Sequence, residues 1–149
     1  MKRRQPEPWM PADEYGRSLR GLSVNLLVRN IGPALAFARD VLGVEPVYSD
    51  ADFAMLRHGP SEWMLHADHT YRDHPLHASL AGGAARGIGA EIRLHDADPD
   101  AAEEAARRRG DPIVAGAMDK PHGVREAFIL DPDGYLWAVD RPLARPIRE

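Results

Sequence analysis

The stretch "AFILDPDGYLWAVD", residues 127–140, contains a tight turn between two short runs of mostly apolar residues. In the tetrapeptide Asp131-Pro132-Asp133-Gly134, proline fixes φ at the second position of a type I turn, and glycine takes the fourth position without steric cost. Branched and aromatic side chains on both sides favour strands. The stretch therefore predicts a β-hairpin.

A strand, a helix and a further strand precede this hairpin. Residues 90–96 alternate between apolar and polar side chains, which is typical of a half-buried strand. Residues 98–110 predict a helix in which Asp98 is the N-cap and Pro99 the first helical residue, because acidic residues come early and arginines late, as the helix dipole favours. A short strand over 111–116 leads into the hairpin.

The first half of the chain shows the same order. A strand is predicted over 23–30, and the stretch "GPALAFARDVLG" that follows has one apolar helical stripe and a glycine stop at Gly43. Three strands follow at 46–49, 52–58 and 61–67. The order strand, helix and three strands thus occurs twice, as an internal repeat of roughly 50 to 60 residues.

These elements predict one domain with five parts, in keeping with a length of 149 residues. An extended N-terminal lead-in covers residues 1–20, because that segment is rich in Pro, Arg and Glu and has no periodicity. The first βαβββ module covers 21–67, a connector 68–88, the second module 89–142, and a C-terminal tail 143–149.

Composition limits the class of partner. The net charge is −4, and residues 21–149 alone carry −6, which argues against nucleic acid and is compatible with a neutral or cationic ligand. The chain has no cysteine, which excludes disulfides and thiolate metal sites and fits a cytoplasmic protein. No apolar run approaches the ~18 residues of a membrane span, so we expect no membrane partner.

The opening of the first module, "NLLVRNIGPALAFARDVLG", and the closing "DPDGYLWAV" together resemble the vicinal oxygen chelate superfamily. This superfamily includes glyoxalase I, extradiol dioxygenases, fosfomycin-resistance proteins and bleomycin-resistance proteins. The resemblance covers residues 21 to 142, nearly everything except the lead-in. It implies an α+β fold in which two βαβββ modules form an open, curled mixed sheet around a cleft, with the helices on the outer face.

In the metal-using members of that family, four side chains meet in the cleft. The resemblance places them here at Ser23, His66, Glu91 and Ala138. Zinc or iron requires three or four protein ligands with one position left for substrate. Since Ala138 cannot ligate a metal and serine is a poor ligand, we expect no cofactor and no family metal site; the alternative is a divalent metal held by His66 and Glu91.

A second group of possible metal ligands lies close together in the sequence "HADHTYRDHPLH". It contains four histidines and two aspartates: His66, His69, His74, His77, Asp68 and Asp73. Histidine pairs with this spacing bind metal when they are helical, but Pro75 and the polar neighbours predict a loop. An exposed loop is the expectation, and metal binding there is left open.

The polar face of the predicted sheet supplies candidate ligand-binding residues. Strand alternation places six polar side chains away from the helices and toward the cleft: Ser23, Asn25, Glu62, His66, Glu91 and Arg93. Convergent polar groups in a concave site are how small-molecule pockets fix the orientation of a ligand. Trp63 and Trp137 have the opposite parity, so we expect them in the core or at an interface.

These observations predict a small-molecule-binding protein that resembles the bleomycin-resistance branch and sequesters a drug-like or aromatic ligand without catalysis. The resemblance implies a homodimer, in which Trp9 and Met10 of the lead-in could pack on the neighbouring chain. The alternative is a metal-dependent lyase, isomerase or dioxygenase of the same fold with a shifted ligand set. A third possibility is a partner-binding module with a vestigial cleft.

Overall fold

The computed structural model describes residues 7–145, and its contacts divide the chain into two compact units. Unit 1 contains residues 7–36 and 44–84, and unit 2 contains residues 37–43 and 85–145. Each unit has one open, four-stranded mixed sheet. The predicted α+β class with two βαβββ repeats is confirmed.

Unit 1 is built on sheet A, whose strand order is β1-β4-β3-β2. Strand β1 runs parallel to β4, and the other pairs are antiparallel. The elements in chain order are α1 (Ala12–Ser18), β1 (Asn25–Val28), α2 (Ile31–Phe37), β2 (Pro46–Ser49), β3 (Phe53–His58), β4 (Ser61–Ala67), a 3-10 turn (Asp68–Thr70) and α3 (His77–Ala81).

The lead-in is not wholly extended, because it contains helix α1. The acidic residues Asp13 and Glu14 in its first turn and Arg17 in its last turn match the helix dipole. No residue of α1 is fully buried, and its contact with sheet A is made through the ring of Tyr15. Residues 1–6 of the lead-in and 146–149 of the tail lie outside the described residues. The predicted connector also contains the 3-10 turn and α3.

Unit 2 is built on sheet B, whose strand order β5-β8-β7-β6 repeats that of sheet A. Its elements are a π-helical turn (Ala38–Leu42) that continues α2, then β5 (Glu91–Leu94), α4 (Pro99–Arg109), β6 (Ile113–Asp119), β7 (Val124–Leu130) and β8 (Leu136–Pro142). The predicted cap of α4 is confirmed, since the Asp98 carboxylate accepts hydrogen bonds from the backbone N–H groups of Asp100 and Ala101.

The hairpin between β7 and β8 forms at the predicted turn. The Gly134 N–H donates to the Asp131 carbonyl over 3.0 Å. The Asp131 carboxylate accepts hydrogen bonds from the backbone N–H groups of Asp133 and Tyr135 and from Nε1 of Trp137. Burial raises the pKa of Asp131 above its usual value, although these three donors act in the opposite direction. One carboxylate thus ties the turn to the start of β8.

Strand β6 lies at the edge of sheet B, and its pairing with β7 is irregular at two places. The Ala117 N–H donates over 2.6 Å to Oε2 of Glu103 on helix α4. This N–H group, followed by Arg107, holds the pKa of Glu103 below its usual value. Gly116 allows the approach, because a Cβ there would lie 3.0 Å from Oε1 of Glu103.

Both tryptophans predicted to lie in the core or at an interface are core residues of their units. Trp63 is 8% exposed and Trp137 is 3% exposed. In the part of the chain that the structure describes, no helix is both long and apolar enough to cross a membrane.

Candidate functional site

The strand register decides which side chains share a face of sheet A. His66 on β4 pairs with Leu27 on β1 and with Phe53 on β3. Two residues earlier on β4, Met64 pairs with Asn25 and Met55. Because side chains of directly paired residues project to the same side, these six residues form one face.

An aromatic cluster covers this face. The Trp9 ring lies 5.1 Å from the rings of Tyr15 and Tyr48, and it is stacked on Phe53 at 6.3 Å with an interplanar angle of 7°. Tyr15 meets Phe53 edge-on at 6.0 Å. Trp9 and Tyr15 come from the lead-in and helix α1, so aromatic contacts attach this segment to the sheet. Trp9 therefore packs within its own chain.

These rings line a partly open cavity of about 230 Å³, which we call the aromatic pocket. Its lining residues are Pro8, Trp9, Met10, Ala12, Tyr15, Gly16, Leu19, Tyr48, Phe53, Met64 and His66. None of these carries a formal charge other than His66, when it is protonated. A concave, largely aromatic lining with a single strongly polar side chain is typical of a small-molecule site.

His66 is held in a polar network at the edge of the pocket. Its Nδ1 lies 2.7 Å from Oδ1 of Asn25, and Nδ2 of Asn25 donates to the Tyr71 hydroxyl over 3.1 Å. With an amide oxygen as partner, Nδ1 is the donor, so the neutral ring carries its proton there and Nε2 is an acceptor. The His66 ring also packs against Phe53 and edge-on against Tyr71.

Two of the pocket tyrosines, Tyr48 and Tyr15, interact with the carboxylates of Asp50 and Glu62 respectively. The Tyr48 hydroxyl donates over 2.7 Å to the buried Asp50 carboxylate, which also accepts the N–H groups of Asp52 and Phe53. Burial, and after it the charge of Glu62, raises the pKa of Tyr15 above its usual value. The Tyr15 phenol therefore stays protonated and its ring neutral, and the Tyr48 hydroxyl carries its proton as the donor to Asp50.

The other two residues predicted for this half of the site lie beside the aromatic pocket. Ser23 precedes β1, which is shorter than the predicted strand. The Glu62 carboxylate accepts two hydrogen bonds from the Arg57 guanidinium. Ser23 and Glu62 both line a second depression of about 240 Å³, which is mostly polar and shares Tyr15, Leu19 and Met64 with the aromatic pocket. Unit 1 thus brings Asn25 and His66 together and places Ser23 and Glu62 next to them.

The corresponding face of sheet B carries charges. Ala138 on β8 pairs with Arg93 on β5 and with Phe128 on β7, and two residues further along β8, Asp140 pairs with Glu126. The Arg93 guanidinium donates to three carboxylates, those of Glu91, Glu126 and Asp140. The predicted neighbours Glu91 and Arg93 therefore form an ion pair.

This charged group, the Arg93 cluster, is partly buried. The side chains of Glu126 and Asp140 are each 3% exposed and that of Arg93 is 32% exposed. The hydrogen bond to Glu126, followed by that to Glu91, raises the pKa of Arg93 above its already high value, so the guanidinium is permanently charged. His95 lies at the rim, with Nδ1 2.8 Å from Oδ1 of Asp140.

The side chains at the implied metal positions do not fit a metal ion. Ala138 has no donor, Glu91 binds Arg93, and Ser23 lies outside strand β1. The register makes Asn25, and not Ser23, the unit 1 counterpart of Glu91. Within residues 7–145, no three His, Asp or Glu side chains are close enough together to share a metal.

The histidines of the connector take separate structural roles. His69 Nε2 lies 2.7 Å from Oδ1 of Asp52, which ties the 3-10 turn to the start of β3. His74 Nδ1 accepts the N–H of Leu76, and its ring meets Tyr71 edge-on. His77 begins helix α3. The histidines of the "HADHTYRDHPLH" stretch thus make separate contacts with neighbouring residues.

Sequence reasoning missed the rings of the aromatic pocket and two of the three carboxylates of the Arg93 cluster. No local pattern signals that Trp9 and Tyr15 meet Tyr48 and Phe53. For Asp140 a signal existed, since it lies two residues from Ala138 on a strand and must share its face.

Comparison with known proteins identifies the family of this fold. The family model described as Glyoxalase/Bleomycin resistance protein/Dioxygenase superfamily matches residues 22–139. The chain belongs to this superfamily. A search of curated proteins gives no significant match.

Solved structures show the same fold at low sequence identity. A glyoxalase-related enzyme from Fulvimarina pelagi is 15% identical, with a TM-score of 0.62 over 87% of this chain and 92% of the other. TioX from Micromonospora sp. ML1 is 23% identical, with a TM-score of 0.58 over 85% and 99%. A glyoxalase/bleomycin resistance protein/dioxygenase family enzyme from Burkholderia phytofirmans PsJN is 20% identical, with a TM-score of 0.62 over 81% and 97%. At these identities the likeness establishes the fold alone.

Proposed function

We propose that this protein binds a small aromatic molecule in the aromatic pocket of unit 1 and makes or breaks no bond in it. The observation that carries the proposal is the cavity between Trp9, Tyr15, Tyr48 and Phe53, with His66 as its strongly polar lining group. A flat ligand would pack against these rings, and each aromatic pair adds about 0.5–1.5 kcal/mol beyond the burial of area. This function matches sequestration as in the bleomycin-resistance branch.

The size of the pocket limits the ligand. Its volume of about 230 Å³ is below the ~300 Å³ at which pockets begin to enclose drug-sized molecules. The ligand is therefore small, or only one ring system of a larger molecule enters the pocket. His66 and Asn25 fix each other over 2.7 Å, so they offer a preorganised polar edge that orients the ligand.

A metal-dependent reaction is less well supported, because the side chains at the four implied metal positions do not together form a ligand set. These positions are Ser23, His66, Glu91 and Ala138. Asn25 and His66 hold each other, and Glu91 is bound to Arg93. We therefore favour binding over lyase, isomerase or dioxygenase chemistry.

The test compares equivalent rings in the two units. Phe53 and Phe128 occupy the same place in the register of their sheets, beside His66 and Ala138 respectively. A panel of neutral and charged bicyclic aromatic compounds is titrated by calorimetry against wild type, Phe53→Ala and Phe128→Ala. We expect Phe53→Ala to weaken binding at least about tenfold, which is about 1.4 kcal/mol, and Phe128→Ala to leave it unchanged. Binding that depends on Phe128 and ignores Phe53 would contradict the proposal, as would no binding at all.

We also propose that the protein is a cytoplasmic homodimer that binds neither nucleic acid nor membranes. Light scattering at micromolar concentration should give about twice the chain mass of 16.5 kDa. Because Trp9 packs on its own chain, Trp9→Ala should leave the dimer intact; a monomeric wild type would contradict this assignment.

A further inference from the structure

The aromatic pocket has a definite electrostatic character. Four of its lining side chains are the neutral rings of Trp9, Tyr15, Tyr48 and Phe53. The face of such a ring carries negative potential, which attracts cations and disfavours anions. No lysine or arginine lines the pocket among the described residues. An anionic ligand would therefore find no fixed positive charge there.

The surroundings of the rings act in the same direction. The Asp50 carboxylate, 8% exposed, accepts the Tyr48 hydroxyl over 2.7 Å, and a phenol that donates to an anion has a more electron-rich ring. Glu62 acts on Tyr15, although its charge is partly balanced by Arg57 at 2.6 Å. Both carboxylates interact with the tyrosines of the pocket, but neither is among the residues that line it. Their negative charge attracts a cation without offering a direct ion pair.

We propose that the aromatic pocket selects a ligand carrying a cationic group with an apolar surface, such as a quaternary ammonium or an N-alkylated heteroaromatic ring. Such a group loses little hydration on entering an apolar cavity and gains attraction from several ring faces at once. This inference rests on the proposed binding function and specifies the chemical class that the site prefers.

The test uses two probes of the same shape and different charge. Benzyltrimethylammonium and its neutral carbon isostere, neopentylbenzene, are titrated separately, with tryptophan fluorescence and calorimetry as readouts. The cation gains a desolvated cation–π contact that the isostere lacks, so it should bind at least about tenfold more tightly. Phenylacetate serves as the anionic probe and should bind more weakly than both.

Two variants separate the cause of the preference from the shape of the pocket. Trp9→Leu keeps an apolar side chain but removes a ring face, and Trp9 is 39% exposed, so the fold should survive. The ratio of the two affinities should fall at least about threefold in this variant. Asp50→Asn keeps an acceptor for the two backbone N–H groups and removes the charge. It should weaken the cation and leave the neutral isostere unchanged.

The outcomes distinguish this inference from the proposed function. Equal affinities for cation and isostere, both lowered by Phe53→Ala, would overturn the cation preference and leave the binding site in place. Failure of both probes to bind, together with no binding by the aromatic panel, would overturn both. An affinity ratio that is high in wild type and unaffected by Trp9→Leu would place the cation outside the aromatic pocket and overturn the inference as well.

Discussion

In sheet A the row of paired residues through His66 is completed by Leu27 and Phe53, whereas in sheet B the corresponding row through Ala138 is completed by Arg93 and Phe128. The two units share strand order and register, yet one face is aromatic and the other is charged. Of the three residues in each row, two differ between the sheets: Leu27 corresponds to Arg93 and His66 to Ala138. The backbone of the repeat thus tolerates either chemistry, and function has to be argued for each face separately.

The charged face is centred on one guanidinium. Two carboxylates buried at 3% exposure, those of Glu126 and Asp140, lie next to each other, and Arg93 donates to both of them. The difference between the units can therefore be tested through the stability that each face contributes.

The largest expected effect is that of Arg93→Met. Removing one partner of a buried ion pair costs ~3–5 kcal/mol, and partial exposure of Arg93 reduces this to roughly 2–4 kcal/mol. Urea unfolding monitored by circular dichroism measures the change.

The matched control in unit 1 is Arg57→Met, which breaks the exposed pair with Glu62. Exposed pairs contribute about 0–1 kcal/mol, so this variant should remain close to wild type. Equal losses for the two variants would show that the Arg93 cluster has no special role in unit 2.

An intermediate effect is expected for Trp9→Ala, on the aromatic side of the comparison. Helix α1 buries no residue, and Trp9 and Tyr15 attach it to sheet A. Loss of the ring contacts of Trp9 should lower the free energy of unfolding by only about 1 kcal/mol. It should also release helix α1 from sheet A locally. Limited trypsin digestion should then cleave after Arg17 and Arg20 several times faster.

For this digestion, Phe128→Ala provides a control that removes a ring from unit 2. Its cleavage rate after Arg17 and Arg20 should equal that of wild type. Unchanged cleavage in Trp9→Ala would mean that contacts other than the aromatic cluster hold the lead-in to unit 1.

The smallest effect concerns the turn of the β7–β8 hairpin. Burial raises the folded-state pKa of Asp131 above its unfolded value, so the stability linked to its protonation is present at low pH and is lost as pH rises through the folded pKa. Asp131→Asn does not ionise. We therefore compare the free energies of unfolding of wild type and variant. The value for wild type minus that for the variant should decrease as pH rises from about 3 to about 6. The decrease should be less than ~1.4 kcal/mol for each unit by which the folded and unfolded pKa values of Asp131 differ.

Urea titrations of both proteins across this pH range measure the difference. A difference that grows with pH would show that the hydrogen bonds from Tyr135, Asp133 and Trp137 outweigh burial. The corresponding turn of unit 1, at Gly59 and Pro60, has no carboxylate and contributes no such dependence.

The parts of the fold that were predicted from the sequence are those set by local chemistry. Asp98 caps α4, Gly43 ends the π-helical turn after α2 with a φ of 68°, and Gly134 closes the hairpin turn. Each of these residues acts within about four residues of its partners. The doubled order of elements followed from hydrophobic periodicity together with these turn and cap residues. Helix α1 was missed because it is short, begins after a proline-rich stretch and has no buried stripe.

The candidate site was predictable only in part. Alternation correctly paired Glu91 with Arg93 and placed Asn25 on the same face as His66. The aromatic pocket depends on contacts between Trp9 and residues about 40 positions later, such as Tyr48, and no periodic pattern encodes such a contact. Ligand binding by the predicted polar residues stays a prediction.

The carboxylate of Glu103 has a consequence for the behaviour of the protein at high concentration. An edge strand with free N–H groups is a template on which a second molecule can add a strand. Strand β6 is such an edge, and it exposes the apolar side chains of Val114 and Met118. By occupying the Ala117 N–H and stabilising an irregular segment of β6, Glu103 removes one of the docking points that intermolecular sheet growth requires. Helix α4 thus covers one backbone donor at the edge of sheet B.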